Sequence, residues 1–120
     1  MIAELTAATR TDVAEALDAL DVLVTEDSAD AISALAAGQT VVLVPPPSIV
    51  PTTFKMWQAT FELWALATTI DPHESTRTLS PVLEALVPLG VTEATPDQFE
   101  TRSQAFAGYR ITITNTYSKE

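Results

Sequence analysis

One stretch limits what this chain can fold into: Thr53 to Thr69, Thr-Phe-Lys-Met-Trp-Gln-Ala-Thr-Phe-Glu-Leu-Trp-Ala-Leu-Ala-Thr-Thr. It holds both tryptophans and two of the four phenylalanines. Read with period two, Trp57, Ala59, Phe61, Leu63, Ala65 and Ala67 fall on one continuously apolar face. Met56, Gln58, Thr60, Glu62, Trp64, Leu66 and Thr68 fall on a mixed one. That alternation describes a long strand with one face on a core. Phe54, Trp57, Phe61 and Trp64 also recur at helical spacings of three and four. A helix, however, would set Gln58 and Glu62 beside its own aromatic stripe, and aromatic and threonine side chains favour a pleated, half-buried surface. The strand is therefore the preferred reading. Its apolar face places Trp57 and Phe61 in a core with Leu17, Leu83 and Ile111.

The rest of the chain supplies elements to cover that face. Residues 3 to 20 carry Leu5, Val13, Leu17 and Leu20 at helical spacings among six alanines, with Asp12, Glu15 and Asp18 on the wet side. Val22 to Thr25 reads as a short extended piece. Ser28 is positioned to cap a short helix through Ala37, with Ile32 and Leu35 buried and Gly38 just past its end. Thr40 to Val44 is a β-branched run that Pro45, Pro46 and Pro47 terminate. Pro45 to Thr52 then reads as a stiff, polyproline-like connector, in preference to a ligand for a proline-binding domain. After the long strand, Asp71 and Pro72 open a helix, with Glu74 placed to complete a capping box. Leu79, Val82, Leu83 and Leu86 form its stripe, Pro81 is expected to kink it or restart it at Ser80, and Pro88 and Gly90 finish it. The last third reads as a hairpin: Pro96 to Arg102, a connection over Ser103 to Ala107, and Gly108 to Tyr117, with Ser118 to Glu120 frayed. In the second strand Tyr109, Ile111 and Ile113 alternate with Arg110, Thr112 and Thr114. The expected architecture is one α+β domain over residues 1–120, a four-stranded, mostly antiparallel sheet with two main helices on one face.

Composition narrows function by exclusion. At 120 residues, with 47% apolar and 18% charged, the chain has the balance of one globular domain. With no cysteine, it forms neither disulfides nor thiolate metal sites. No basic leader precedes an apolar run, and no run is long enough to span a bilayer, so neither export nor membrane insertion is expected. A net charge of −10 gives no basic footprint for nucleic acid. The three glycines, Gly38, Gly90 and Gly108, form no phosphate-cradling loop. His73 is the only histidine. Beside Glu74 it has the form of an acid–base pair, but it sits in a helix-start motif that explains both residues structurally. Asp27 and Asp30 read as a solvated loop rather than a metal pair. No catalytic, cofactor-binding or metal residue is assigned, and no enzymatic activity is expected. The residues singled out are Trp64, Leu66 and Glu62, on the mixed face of the long strand. An indole and a leucine there suit a protein interface. Alternatively, a helix covers them.

The order of these parts resembles the tail terminator, or tail completion, proteins of long-tailed double-stranded DNA phages. The features that match are the alanine- and leucine-rich first helix, the strand closing in prolines from Thr40 to Pro47, and Met-Trp-Gln-Ala-Thr-Phe-Glu-Leu-Trp around Trp57. The helix Leu79 to Leu89 follows, then Gly-Val-Thr-Glu-Ala-Thr-Pro and Ala-Gly-Tyr-Arg-Ile-Thr-Ile-Thr. Residues 26–39 do not add to the match. The resemblance implies a virion protein, assembled in the host cytoplasm, that forms a homo-oligomeric ring, usually a hexamer, at the head-proximal end of the tail. Its partners would be further copies of itself, the tail tube protein and the head-tail connector protein. DNA would pass through without specific binding, no cofactor would be needed, and no membrane would be involved. Six copies at −10 each would carry −60 around that DNA. The alternatives are a neck protein of the same virion, an acidic DNA mimic and a small enzyme using His73 and Glu74. The mimic requires carboxylates at phosphate spacing, and here they are scattered.

Overall fold

The computed structural model describes residues 2–52, 55–68, 71–100 and 105–118. Thr53, Phe54 and Thr69 of the long stretch lie outside the described residues, as do Arg102, Ser103, Lys119 and Glu120. The elements are α1 (Ile2–Ala16), β1 (Val22–Thr25), α2 (Ser28–Ala36), β2 (Thr40–Leu43), β3 (Ser48–Pro51), β4 (Met56–Leu66), α3 (Pro72–Leu86), β5 (Val91–Glu100) and β6 (Ala105–Ser118). The strands form one sheet in the order β1-β2-β4-β6-β5, with β3 also on β4. This α+β architecture corrects the expected four strands and two helices to six strands and three α-helices among the described residues. The sheet is mixed, because β1 and β2 run parallel while every other pair is antiparallel.

The additional strands come from segments with weak patterns. β1 is the short extended piece before α2, and pairing with β2 makes it a strand. β3 lies in what reads as a proline connector. β2 and β3 run end to end along the same side of β4, Leu43 facing Trp64 and Ser48 facing Thr60. Four residues separate Leu43 from Ser48, whereas three separate Thr60 from Trp64, so the proline step inserts one extra residue. An extra residue reverses which side chains face inward, as in a bulge. Val42 and Val44 before the step, and Ile49 after it, accordingly pack into the same core.

Two helices cover the apolar face of β4. Val13 and Leu17 of α1 and its following turn meet Leu79, Val82 and Leu86 of α3 over Ala59, Phe61, Leu63 and Ala65 of β4 and Ile111 and Ile113 of β6. Leu83 packs at the margin of this core. Trp57, expected within it, is only partly buried and lies toward the end of the sheet. α1 stops four residues before the expected end: Leu20 N–H bonds to Leu17 C=O at 2.9 Å, tightening the chain into a turn ahead of β1. α3 is capped by Asp71, whose Oδ1 accepts from His73 N–H at 2.9 Å. It runs through Pro81 without restarting. Pro81 is exposed, so the carbonyl its missing N–H would have bonded faces solvent, while Ser80 Oγ donates to Thr76 C=O at 2.8 Å.

The third helix, α2, lies on the opposite face, over β1 and β2. Its N-cap is Asp27 rather than Ser28, with Oδ1 accepting from Ala29 N–H at 2.8 Å. Gly38 adopts φ 89° past its end, where Gly38 N–H bonds Leu35 C=O and Gln39 N–H bonds Ala34 C=O. Both hairpin strands start earlier than the sequence pattern suggests, at Val91 and Ala105: β5, at the sheet edge, is held by backbone pairing and needs no apolar alternation, and Ala105, Phe106 and Ala107 of β6 extend the same ladder opposite Glu100, Phe99 and Gln98. Ser118, read as frayed, ends β6 opposite Met56. Gly108 is internal to β6, and a Cβ there would overlap the Ala65 carbonyl oxygen and lie 2.9 Å from Leu66 Cδ2. Its lack of a side chain lets β6 approach β4.

Phe61 is 1% exposed at the centre of the main core. Phe61→Ala is expected to lower unfolding free energy by about 3–5 kcal/mol in urea titration. A loss below about 0.5 kcal/mol, the range of ordinary surface changes, would contradict the assignment of this face.

Candidate functional site

The second face of β4 is divided along its length. At the Leu66 end, α2 brings Ala31 and Leu35 onto Val41 and Leu43 of β2, Leu66 of β4 and Phe106 of β6, making a second, smaller core. Trp64 packs at its margin with Leu23, Ala34 and Phe99. The Trp64 and Phe99 rings meet edge to face, with centroids 5.5 Å apart and planes at 66°. Beyond Trp64 the character of the surface changes. Glu62 is exposed, and Thr60 and Gln58 are partly so. Across the ladder stand Thr112, Thr114 and Thr116 of β6, opposite Glu62, Thr60 and Gln58 in turn. Thr60 and Thr114 hydroxyls approach to 3.5 Å. On the β3 side, Val50 opposite Gln58 is 52% exposed. Among the described residues no helix packs on this half, since α1 and α3 are committed to the other face and α2 to β1 and β2.

The three residues singled out from sequence thus have different fates. Leu66 is fully buried under α2 and belongs to the protein's own core. Glu62 is open to solvent, and Trp64 stands on the boundary, partly buried. The structure adds neighbours that the sequence reading did not single out. Arg110 lies opposite Trp64 in the β4–β6 ladder, and its Nη1 is 3.7 Å from Asp97 Oδ2 on β5. Phe99 joins Trp64 from the same strand as Asp97. The available signal was the alternation in β5, where Glu93, Thr95, Asp97 and Phe99 share one face. The result is an aromatic pair and one arginine–aspartate pair bordering a threonine-lined, acidic sheet surface.

Elsewhere, the chemistry is sparse. His73 is exposed at the start of α3, and its neighbour Glu74 lies 3.7 Å from Arg77 instead of facing the imidazole in any enclosed site. A groove of about 400 Å³ between α3 and the hairpin is lined by Ser75, Thr76, Asp97, Gln98 and Glu100 among others. A shallower depression of about 440 Å³ on α1 is lined by Arg10, Thr11, Ala14, Glu15 and Asp18. His73 lines neither of them. Among the described residues no group of three or more His, Asp or Glu could hold a metal ion, and no helix is long and apolar enough to cross a membrane. Arg10, Arg77 and Arg110 each face a carboxylate, Arg10 most closely at 2.9 Å from Glu26, so local pairing offsets part of the positive charge of a chain already at −10. No protein-family model matches the chain, and no curated protein matches it in sequence.

The division of this face is measurable on the isolated chain. Leu66→Ala is expected to cost about 2–5 kcal/mol, as for a buried leucine, whereas Glu62→Ala stays within about 0.5 kcal/mol of wild type, as for an open surface site. Equal effects in urea titration would mean that α2 does not separate the two positions.

Proposed function

We propose that this chain is a tail terminator of a long-tailed phage. Six copies form a ring that caps the tail tube, ends its polymerisation and offers a surface to the head connector. The observation that carries the reading is the uncovered half of the β4–β6 sheet. It has an aromatic pair and an arginine at one border, and a polar, threonine-lined field beside them. Interfaces are enriched in aromatic side chains and arginine, and here these residues stand along one side of the polar field. Termination is a binding act: the ring docks on the last tube ring more favourably than another tube subunit would, then presents no site for further addition. Trp64 is the leading residue for such contact, with Glu62 beside it, while Leu66 acts by supporting Trp64 from the core. The proline-closed strand, the long strand with Trp57, the leucine-rich helix and the C-terminal hairpin support the resemblance through their order. The charge of −10 suits a ring through which DNA passes without being gripped.

The test is a phage lacking this gene. Full heads are expected together with separate tails that are overlong or unable to join. Normal-length tails already attached to heads would refute termination. Normal-length, unattached tails topped by an intact terminator ring would transfer the role to another protein and make this chain a neck component.

A further inference from the structure

β5 pairs with β6 on one side and, among the described residues, with no strand on the other. A free edge of this length is a ready template for another strand, and alternate residues direct their backbone groups outward along it. Pro96 stands in the middle of this edge. It has no N–H, and within a strand it is accommodated where its nitrogen faces away from the ladder. Gln98, two residues on, therefore also directs its N–H outward. That donor is occupied: it bonds to Oδ1 of Asp97 at 2.8 Å. The other oxygen of the same carboxylate lies 3.7 Å from Arg110 Nη1, so β6 helps hold the carboxylate in place. Pro96, Asp97 and Gln98 are all exposed.

We infer that Pro96 and Asp97 close the outer edge of β5 to strand addition. Two successive outward donors at the middle of the edge are withdrawn, one because proline has none and one because the aspartate captures it. An incoming strand would find carbonyls without the matching donors. A second copy would also meet Glu93 and Glu100 on the same strand, which adds like-charge repulsion between chains at −10. The inference does not depend on the terminator reading. It adds that copies of this chain meet through sheet or helix faces and not by extending one sheet across β5.

The experiment compares wild type with Pro96→Thr/Asp97→Ala, which restores one donor and frees the other. The readouts are sedimentation over a wide concentration range and hydrogen exchange of the β5 amides. In the double variant, average mass is expected to rise roughly twofold or more above wild type at the same concentration, as pairing of two subunits requires. Exchange in Val91–Glu100 should slow as concentration rises. Asp97→Asn keeps an oxygen acceptor for Gln98 and should behave as wild type. Glu100→Thr removes a charge from the same strand without freeing a donor, and should do likewise. If the double variant loses the wild-type circular dichroism spectrum, Asp97→Ala alone carries the test on the same readouts. A folded variant with wild-type mass and unchanged β5 exchange would overturn the inference. So would Asp97→Asn or Glu100→Thr associating as strongly as the double variant, since charge alone would then explain the block.

Discussion

The β4–β6 ladder is the interaction on which the rest of the structure depends. All eleven residues of β4 have partners on β6, from Met56 opposite Ser118 to Leu66 opposite Gly108. The close approach at Gly108 holds the Leu66 end of the pair together. Once this register is set, the period-two alternation fixes both faces at once. Phe61, Leu63, Ala65, Ile111 and Ile113 share one side, and Trp64, Arg110 and the threonines share the other. A slip of one residue would put Phe61 and Leu63 on the opposite side from Ile111 and Ile113, turning the apolar set of one strand to solvent and its polar set to the core. The apolar side is closed by α1 and α3. Among the described residues the other side is closed where α2 reaches over it from β1 and β2, and the surface proposed for assembly is what remains.

How much of this was legible in the sequence follows from where each signal resides. The first face of β4 could be read because Trp57, Ala59, Phe61, Leu63, Ala65 and Ala67 repeat with period two without a polar interruption, and burial follows that period from Ala59 onward. The capping of α3 at Asp71 was equally local. β3 was not legible, since Ser48–Pro51 lies between prolines and is a strand only because β4 offers it a backbone partner. The early starts of β5 and β6 escaped for the same reason. Leu66 shows the limit most clearly. On a mixed face a leucine beside a tryptophan has the same pattern whether it meets a partner or a helix of its own chain. The crossover between β1 and β2 decided this by carrying α2 over it. Trp57 erred in the other direction: it has the right parity for the core but stands near the end of β4, where the described helices leave it partly exposed.

The charges follow a consistent pattern. Arg110 and Asp97 bind the two strands of the hairpin on the open side, and Asp97 also satisfies the Gln98 N–H at the edge. Surface ion pairs of this kind contribute little to stability, so their effect here is on which surfaces are available. With the β5 edge guarded and the apolar face covered by helices, the uncovered β4–β6 face is, among the described residues, a sheet surface open to a partner. That is the physical content of the terminator proposal, and it places Trp64 at the border of the contact instead of its centre.

The absence of cysteine makes this claim accessible to one direct measurement. Single cysteines at positions 59, 60, 62 and 63 of β4 would each be the only thiol in the chain, and their labelling rates can be compared in the dilute isolated protein and in purified tails. Thr60→Cys and Glu62→Cys are expected to react much faster than Ala59→Cys and Leu63→Cys in the dilute chain, and to become protected in tails. Uniform reactivity along the strand would contradict the two-faced reading of β4. Equal reactivity of positions 60 and 62 in the free chain and in tails would contradict their burial on assembly.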